Sequence, residues 1–163
     1  MKVTLIRHGE TVGNASNKYI GATDDPLSER GLAAAHAVVP NAAVKTVFVT
    51  PLKRTQQTAS ILFPEAEQII VPDLREMDFG AFENRSYAEM EHDSDYRAWV
   101  NSGCTLACPG GEDMEGFASR IGKAFLEVLR ENTKKDALTF VVHGGTLMAV
   151  FSLFAEEQRA YYE

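Results

Sequence analysis

The chain has 163 residues, with 23 acidic against 16 basic side chains, a net charge of −7, and 45% hydrophobic and 24% charged residues. That length and composition fit one ordinary globular domain, and the excess of acid argues against a nucleic acid or an anionic membrane surface as partner. No apolar run approaches the ~20 residues of a membrane span, and Met1-Lys2 leads directly into a strand, so no signal peptide is expected.

Residues 3–6 are a short apolar run and read as a buried strand. Residues 14–25 are polar, with Gly21 and Asp25-Pro26 as turn signals. Ser28 caps a helix that the alanine-rich run carries to about Val39, where Pro40-Asn41 stops it. A second strand is expected at 46–49, a helix with Pro51 in its first turn to about Phe63, and a third strand at 68–71. Residues 73–86 show no period, 87–100 suggest one or two short helices, and 103–111 read as loop. A long amphipathic helix is expected at 113–131, with Phe117, Ile121, Ala124, Phe125, Val128 and Leu129 as its core stripe. A fourth strand at 138–142 and a helix at 146–154 follow. This alternation predicts an α/β three-layer sandwich: a mostly parallel sheet, helices on both faces, and residues 73–111 as a small helical and loop cap over the strand ends.

Two strand ends carry the same grammar. Arg7-His8-Gly9 follows the first strand and His143-Gly144-Gly145 follows the fourth. In a parallel sheet both histidines fall at the carboxyl edge, where open α/β sheets bind ligands, and adjacent strands would set them side by side. An arginine beside an imidazole suits attack on a phosphate ester, the cation holding the dianion and the ring nitrogen striking phosphorus. Glycine lets backbone N–H groups approach an anion closely. Arg54, in the first turn of the helix after the second strand, points to the same edge. Glu76 lies between apolar Leu74 and Met77. There it serves either as a general acid or as a surface partner of Arg75. Asn14 could give its amide to a phosphate oxygen. His36 and His92 are expected to have no role. Cys104 and Cys108 have no histidine or second pair nearby, so zinc is not expected and reduced thiols of a cytoplasmic protein are.

Six ordered blocks resemble the histidine phosphatase family, which includes the cofactor-dependent phosphoglycerate mutases. They are Arg7-His8-Gly9-Glu10-Thr11 with Asn14, residues 25–31, residues 50–59, Leu74-Arg75-Glu76 with Phe79-Gly80 and Glu83, residues 109–112, and residues 142–145. The resemblance implies His8 as the nucleophile that becomes phosphohistidine. It implies Arg7, Arg54 and His143 around the phosphoryl group with Asn14 assisting, Gly21 and Gly144 among the substrate-binding positions, and Glu76 as general acid and then base. No metal or organic cofactor is implied, and the partner is a small phosphate ester. The short acidic cap with Tyr96 and Trp99 looks most like that of α-ribazole phosphatases, so hydrolysis is favoured. Mutase-type phosphoryl transfer and an inactive phosphate-binding module are the alternatives. Two departures stand out. Asn84 replaces a common glycine, at a position where asparagine tolerates left-handed geometry. The chain also stops at Glu163, where the family usually adds another strand; a truncated sequence, a missing disordered tail and an exposed sheet edge are the alternatives.

Overall fold

A computed structural model describes residues 1–155. The strands are β1 (Lys2–Arg7), β2 (Thr46–Val49), β3 (Glu67–Ile70) and β4 (Ala137–Val142), all parallel in the order β1-β4-β2-β3. Arg7 pairs with Val142, and the His8 N–H donates to the Val142 carbonyl at 3.0 Å. The two histidine-bearing strand ends are therefore neighbours, as expected. The further strand that the family usually adds falls outside the described residues.

Alternation along the strands separates two cores. Val47, Val49 and Val141 pack with Ala59, Leu62 and Phe63. Phe48, Leu138, Phe140 and Val142 face the opposite way. They meet Phe117, Ile121, Ala124, Phe125 and Val128, together with Ala149 and Val150. Helices thus cover both faces, and the three layers are those the alternation predicts.

Among the described residues six α-helices accompany the strands: α1 (Val12–Ala15), α2 (Glu29–His36), α3 (Lys53–Leu62), α4 (Ser94–Asn101), α5 (Met114–Glu131) and α6 (Gly144–Phe154). They depart from the sequence reading at several points, α6 among them, which begins at Gly144 rather than at 146. The turn α1 falls in the stretch read as polar loop; Thr11 and Asn14 form its capping box, a reciprocal pair that four residues suffice to make. Helix α2 stops at His36 rather than Val39, because Val38 and Val39 have no core to cover and stay exposed. Helix α3 starts at Lys53 with Leu52 as N-cap, which leaves Pro51 outside its first turn. Residues 73–86, read as irregular, hold two short 3₁₀ turns at Pro72–Leu74 and Gly80–Phe82, and the stretch 87–100, read as one or two short helices, holds a third at Ala88–Met90 before α4. Gly80 has φ +51°, and a Cβ there would collide with the Pro109 carbonyl. Asn84 sits at φ +57°, the left-handed geometry anticipated for it.

Leu74, Met77, Phe82, Met90, Tyr96, Trp99 and Cys108 join the same core as helix α5. Both cysteines are unbridged, and burial pushes the Cys108 thiol up to about 12. No helix among the described residues is long and apolar enough to cross a membrane.

Candidate active site

His8, directly after β1, is 9% exposed. Its Nδ1 lies 2.6 Å from the Gly9 carbonyl. A carbonyl only accepts, so Nδ1 carries the proton and Nε2 keeps its lone pair. Gly9 is itself anchored: its N–H donates to Thr58 Oγ1 at 3.0 Å, and that hydroxyl donates to the Arg54 carbonyl. Burial lowers the His8 pKa to about 4, helped by Arg54 and Arg7 and opposed by the Gly9 bond. The ring is neutral at pH 7.

His143, the N-cap of α6 and fully buried, stands with its ring centroid 5.1 Å from that of His8. Arg54 Nε donates to its Nδ1 at 3.2 Å. The His143 proton therefore sits on Nε2, which donates to Thr50 Oγ1 at 2.9 Å. Thr50 Oγ1 lies 3.0 Å from Thr55 Oγ1, whose own proton goes to the Leu52 carbonyl. The two threonines form a one-way chain that fixes the tautomer. Burial, then Arg54, holds the His143 pKa well below its ordinary value. Thr50→Val leaves the buried Nε2–H without an acceptor, a loss of about 1–3 kcal/mol, whereas Thr50→Ser keeps one. Urea unfolding of the two variants measures this, and equal stability would remove the chain's role.

Arg54 is fully buried on the first turn of α3. It donates to the carbonyls of Thr23 at 2.7 Å and Gly21 at 2.8 Å. Burial lowers its pKa, opposed first by Glu76 and then by Glu83, Asp24 and Asp25. Glu83 holds the same turn from below. Its carboxylate accepts from the N–H groups of Gly21, Ala22 and Phe79 and from the Thr23 hydroxyl. Gly21 therefore has both backbone groups engaged within the protein, its N–H with Glu83 and its carbonyl with Arg54. A Cβ on Gly21 would collide with the Met77 carbonyl.

Arg7 is exposed at the end of β1, its guanidinium packed over Gly144. It lines a cavity of about 260 Å³ with His8, Gly9, Glu10 and Asn14. The Thr11 N–H donates to Asn14 Oδ1, so the other end of that amide, its donor, is left for the cavity. Glu10 is neutralised by Arg30 at 2.7 Å.

Glu76 is 9% exposed. Its oxygens accept from the N–H groups of Met77 at 3.0 Å and Gly145 at 2.9 Å. Burial raises its pKa, opposed by these two bonds and by Arg54 and Arg7. The surface pairing with Arg75 does not occur; Arg75 meets Asp73 instead, at 3.3 Å. A clasp absent from the sequence reading sets Glu76 in place. Arg120 grips Glu112 at 2.8 and 2.7 Å and donates to the carbonyls of Asp73, Arg75 and Glu76. The available signal was its place on the apolar stripe of α5, three residues after Phe117, where an unpaired arginine is rarely found. His36 and His92 are exposed. Among the described residues no three His, Cys, Asp or Glu gather as a metal site.

The buried imidazoles give an acid signature. As pH falls through about 6.5 the unfolded chain protonates at His8, which the folded site refuses until about 4. Stability is therefore lost on acidification across that window, by about 3 kcal/mol from His8. Glu76, raised, works in the opposite sense, so the comparison with His8→Asn isolates the term. An equal acid dependence in both proteins would show that His8 is not buried neutral.

Two imidazoles, a buried guanidinium and a buried carboxyl at the carboxyl edge of a parallel sheet define the class: an enzyme that transfers or hydrolyses phosphoryl groups. The chain belongs to the histidine phosphatase superfamily (branch 1), whose model matches residues 3–162. It is 32% identical over 154 residues to the adenosylcobalamin/alpha-ribazole phosphatase of Escherichia coli K12, covering 90% of this chain and 75% of that protein. It is 33% identical over 159 residues to a Yersinia pestis protein named "Probable phosphoglycerate mutase GpmB", covering 93% and 74%. The alpha-ribazole phosphatase of Shigella flexneri superposes with a TM-score of 0.85 at 28% identity, over 99% of this chain and 84% of that one.

Proposed function

We propose that the protein hydrolyses small phosphomonoesters through a phosphohistidine at His8. The observation that carries this is the Nδ1 bond to the Gly9 carbonyl, which leaves a neutral ring with its Nε2 lone pair for phosphorus. Nε2 attacks, the P–O ester bond breaks, and Glu76 gives its proton to the departing alkoxide. Water then attacks phosphorus as Glu76 takes a proton from it, the P–N bond breaks with its electron pair returning to Nε2, and phosphate leaves. Arg7, Arg54 and the Asn14 amide hold the phosphoryl oxygens. His143 completes the wall of the phosphoryl site, its ring centroid 5.1 Å from that of His8, and orients Arg54 through Nδ1. The two guanidiniums stabilise charge as a metal ion would elsewhere, so neither metal nor organic cofactor takes part. Residues 73–111 act as the cap. The names of the Escherichia coli and Shigella relatives support α-ribazole 5′-phosphate as the first substrate to test, drawn from the cytoplasm.

Phosphate release from p-nitrophenyl phosphate and from a panel containing α-ribazole 5′-phosphate, with and without EDTA, tests the reading. Turnover that survives EDTA is expected. No turnover of any ester would favour a phosphate-binding module. Transfer between the 2 and 3 positions of phosphoglycerate that outpaces hydrolysis would favour a mutase.

A further inference from the structure

Glu76 belongs to no helix or strand; it stands between the 3₁₀ turns at Pro72–Leu74 and Gly80–Phe82. An irregular segment has no ladder for its carbonyls, and those that are buried need donors from elsewhere. Here the four carbonyls in succession from Asp73 to Glu76 are met by two side chains of distant helices. Arg120 of α5 donates to Asp73 at 2.7 Å, Arg75 at 3.1 Å and Glu76 at 3.3 Å. Thr146 of α6 is 1% exposed and donates from Oγ1 to the Leu74 carbonyl at 3.1 Å. The guanidinium is itself fixed. Glu112 takes it at Nε and Nη2, and it stands 5.2 Å from the centroid of the buried Phe117 ring, one turn earlier on α5. Glu112 also secures the far side of Glu76: it accepts from the Asp78 N–H at 3.0 Å and donates to the Asp78 carbonyl at 2.9 Å.

We propose that Arg120 and Thr146 are positioning residues for proton transfer, acting through the main chain of residues 73–76 to set the Glu76 carboxyl within reach of the departing oxygen. This rests on the reading that Glu76 is the general acid. A general acid must come within hydrogen-bond distance of the atom it protonates, and the Glu76 carboxyl hangs from its backbone by two methylenes. Two N–H groups hold its head, but that of Met77 moves with the same segment. Gly145 is the tether from outside. The remaining placement enters through the four carbonyls. Thr146 lies one residue beyond Gly145, so the first turn of α6 grips both the carboxyl and the main chain that carries it. That helix starts at His143, and the acid is thereby set in register with the phosphoryl site. A shift of about 1 Å caused far from the reacting atoms can cost about 10²-fold in rate.

The test compares two esters. Glycerol 2-phosphate needs a proton on its leaving alkoxide, whereas p-nitrophenyl phosphate does not. Arg120→Met keeps an apolar stem over Phe117 and removes the donors. It is expected to lower kcat for glycerol 2-phosphate by about 10–100-fold and to slow p-nitrophenyl phosphate much less. Thr146→Val is expected to show the same split in smaller measure, and Thr146→Ser, which keeps the hydroxyl, to restore the wild-type ratio of the two rates. In a Glu76→Gln background there is no proton to place, so Arg120→Met should leave that ratio where Glu76→Gln put it. A merely structural role would slow both esters alike. Equal slowing in Arg120→Met, or a further selective loss on top of Glu76→Gln, would overturn the inference. Should Arg120→Met fail to fold, the Thr146 pair decides by the same comparison. If Glu76→Gln splits the esters and neither Arg120→Met nor Thr146→Val does, the inference falls and the general acid stands. If Glu76→Gln itself slows both equally, the general acid falls first and the inference with it.

Discussion

Replacing His8 with alanine is expected to abolish the covalent phosphoenzyme and lower kcat by on the order of 10⁴–10⁶-fold, the scale seen when a nucleophile acting with its partners is removed. The neutral ring, tied at Nδ1 to Gly9, supplies the only lone pair aimed at the phosphoryl group in this scheme; His143 has both nitrogens engaged with Arg54 and Thr50. Rapid acid or alkali quenching during turnover separates the species, because a phosphohistidine survives alkali and is lost in acid. The fold should persist, since His8 makes one side-chain hydrogen bond and it is to its neighbour. A His8→Ala protein that still traps phosphate covalently would move the nucleophile elsewhere.

The second large effect is expected at Glu76. Glu76→Gln keeps an acceptor for Gly145 or Met77 but has no proton to give at the cost of a neutral amide. Loss of general acid catalysis lowers kcat by about 10²–10⁴-fold for an alkyl ester. The p-nitrophenolate ion leaves without protonation, so p-nitrophenyl phosphate should slow much less. The pH profile carries the sign. A raised carboxyl pKa keeps the acid form at higher pH than usual, and kcat/KM falls as pH rises through that raised value. In Glu76→Gln this alkaline fall is absent. Equal slowing of both esters, with the pH profile unchanged, would remove Glu76 from proton transfer.

Much of the centre was legible because the chemistry stands at strand ends. The repeat of apolar strand, histidine and glycine placed His8 and His143 together, and the parallel alternation made them adjacent. Arg54 followed from its place at the start of a helix on the same edge. The supports were not legible, because each is a hydrogen bond across the chain. Thr50 meets His143 across 93 residues, and Glu83 meets Gly21 across 62. Serine-like hydroxyls and surface-type acids give no periodic signal for such partners. Gly21, which the resemblance implies at the substrate, has a carbonyl that serves Arg54 and an N–H that serves Glu83, and neither bond is readable from its neighbours in sequence. Helix ends slipped where a side chain decides them locally, as Thr11 does for α1 and exposed Val39 does for α2.

The pairing of β1 with β4 has a consequence for biogenesis. His8 precedes its neighbouring imidazole, His143, by about 135 residues, and the Gly145 N–H that holds Glu76 follows that second imidazole. Such non-local closure forms late. Turnover therefore reports the pairing of β1 with β4: a nascent chain arrested before β4 holds an Arg-His pair with no second half, and recovered turnover after dilution from denaturant marks that closure in refolding.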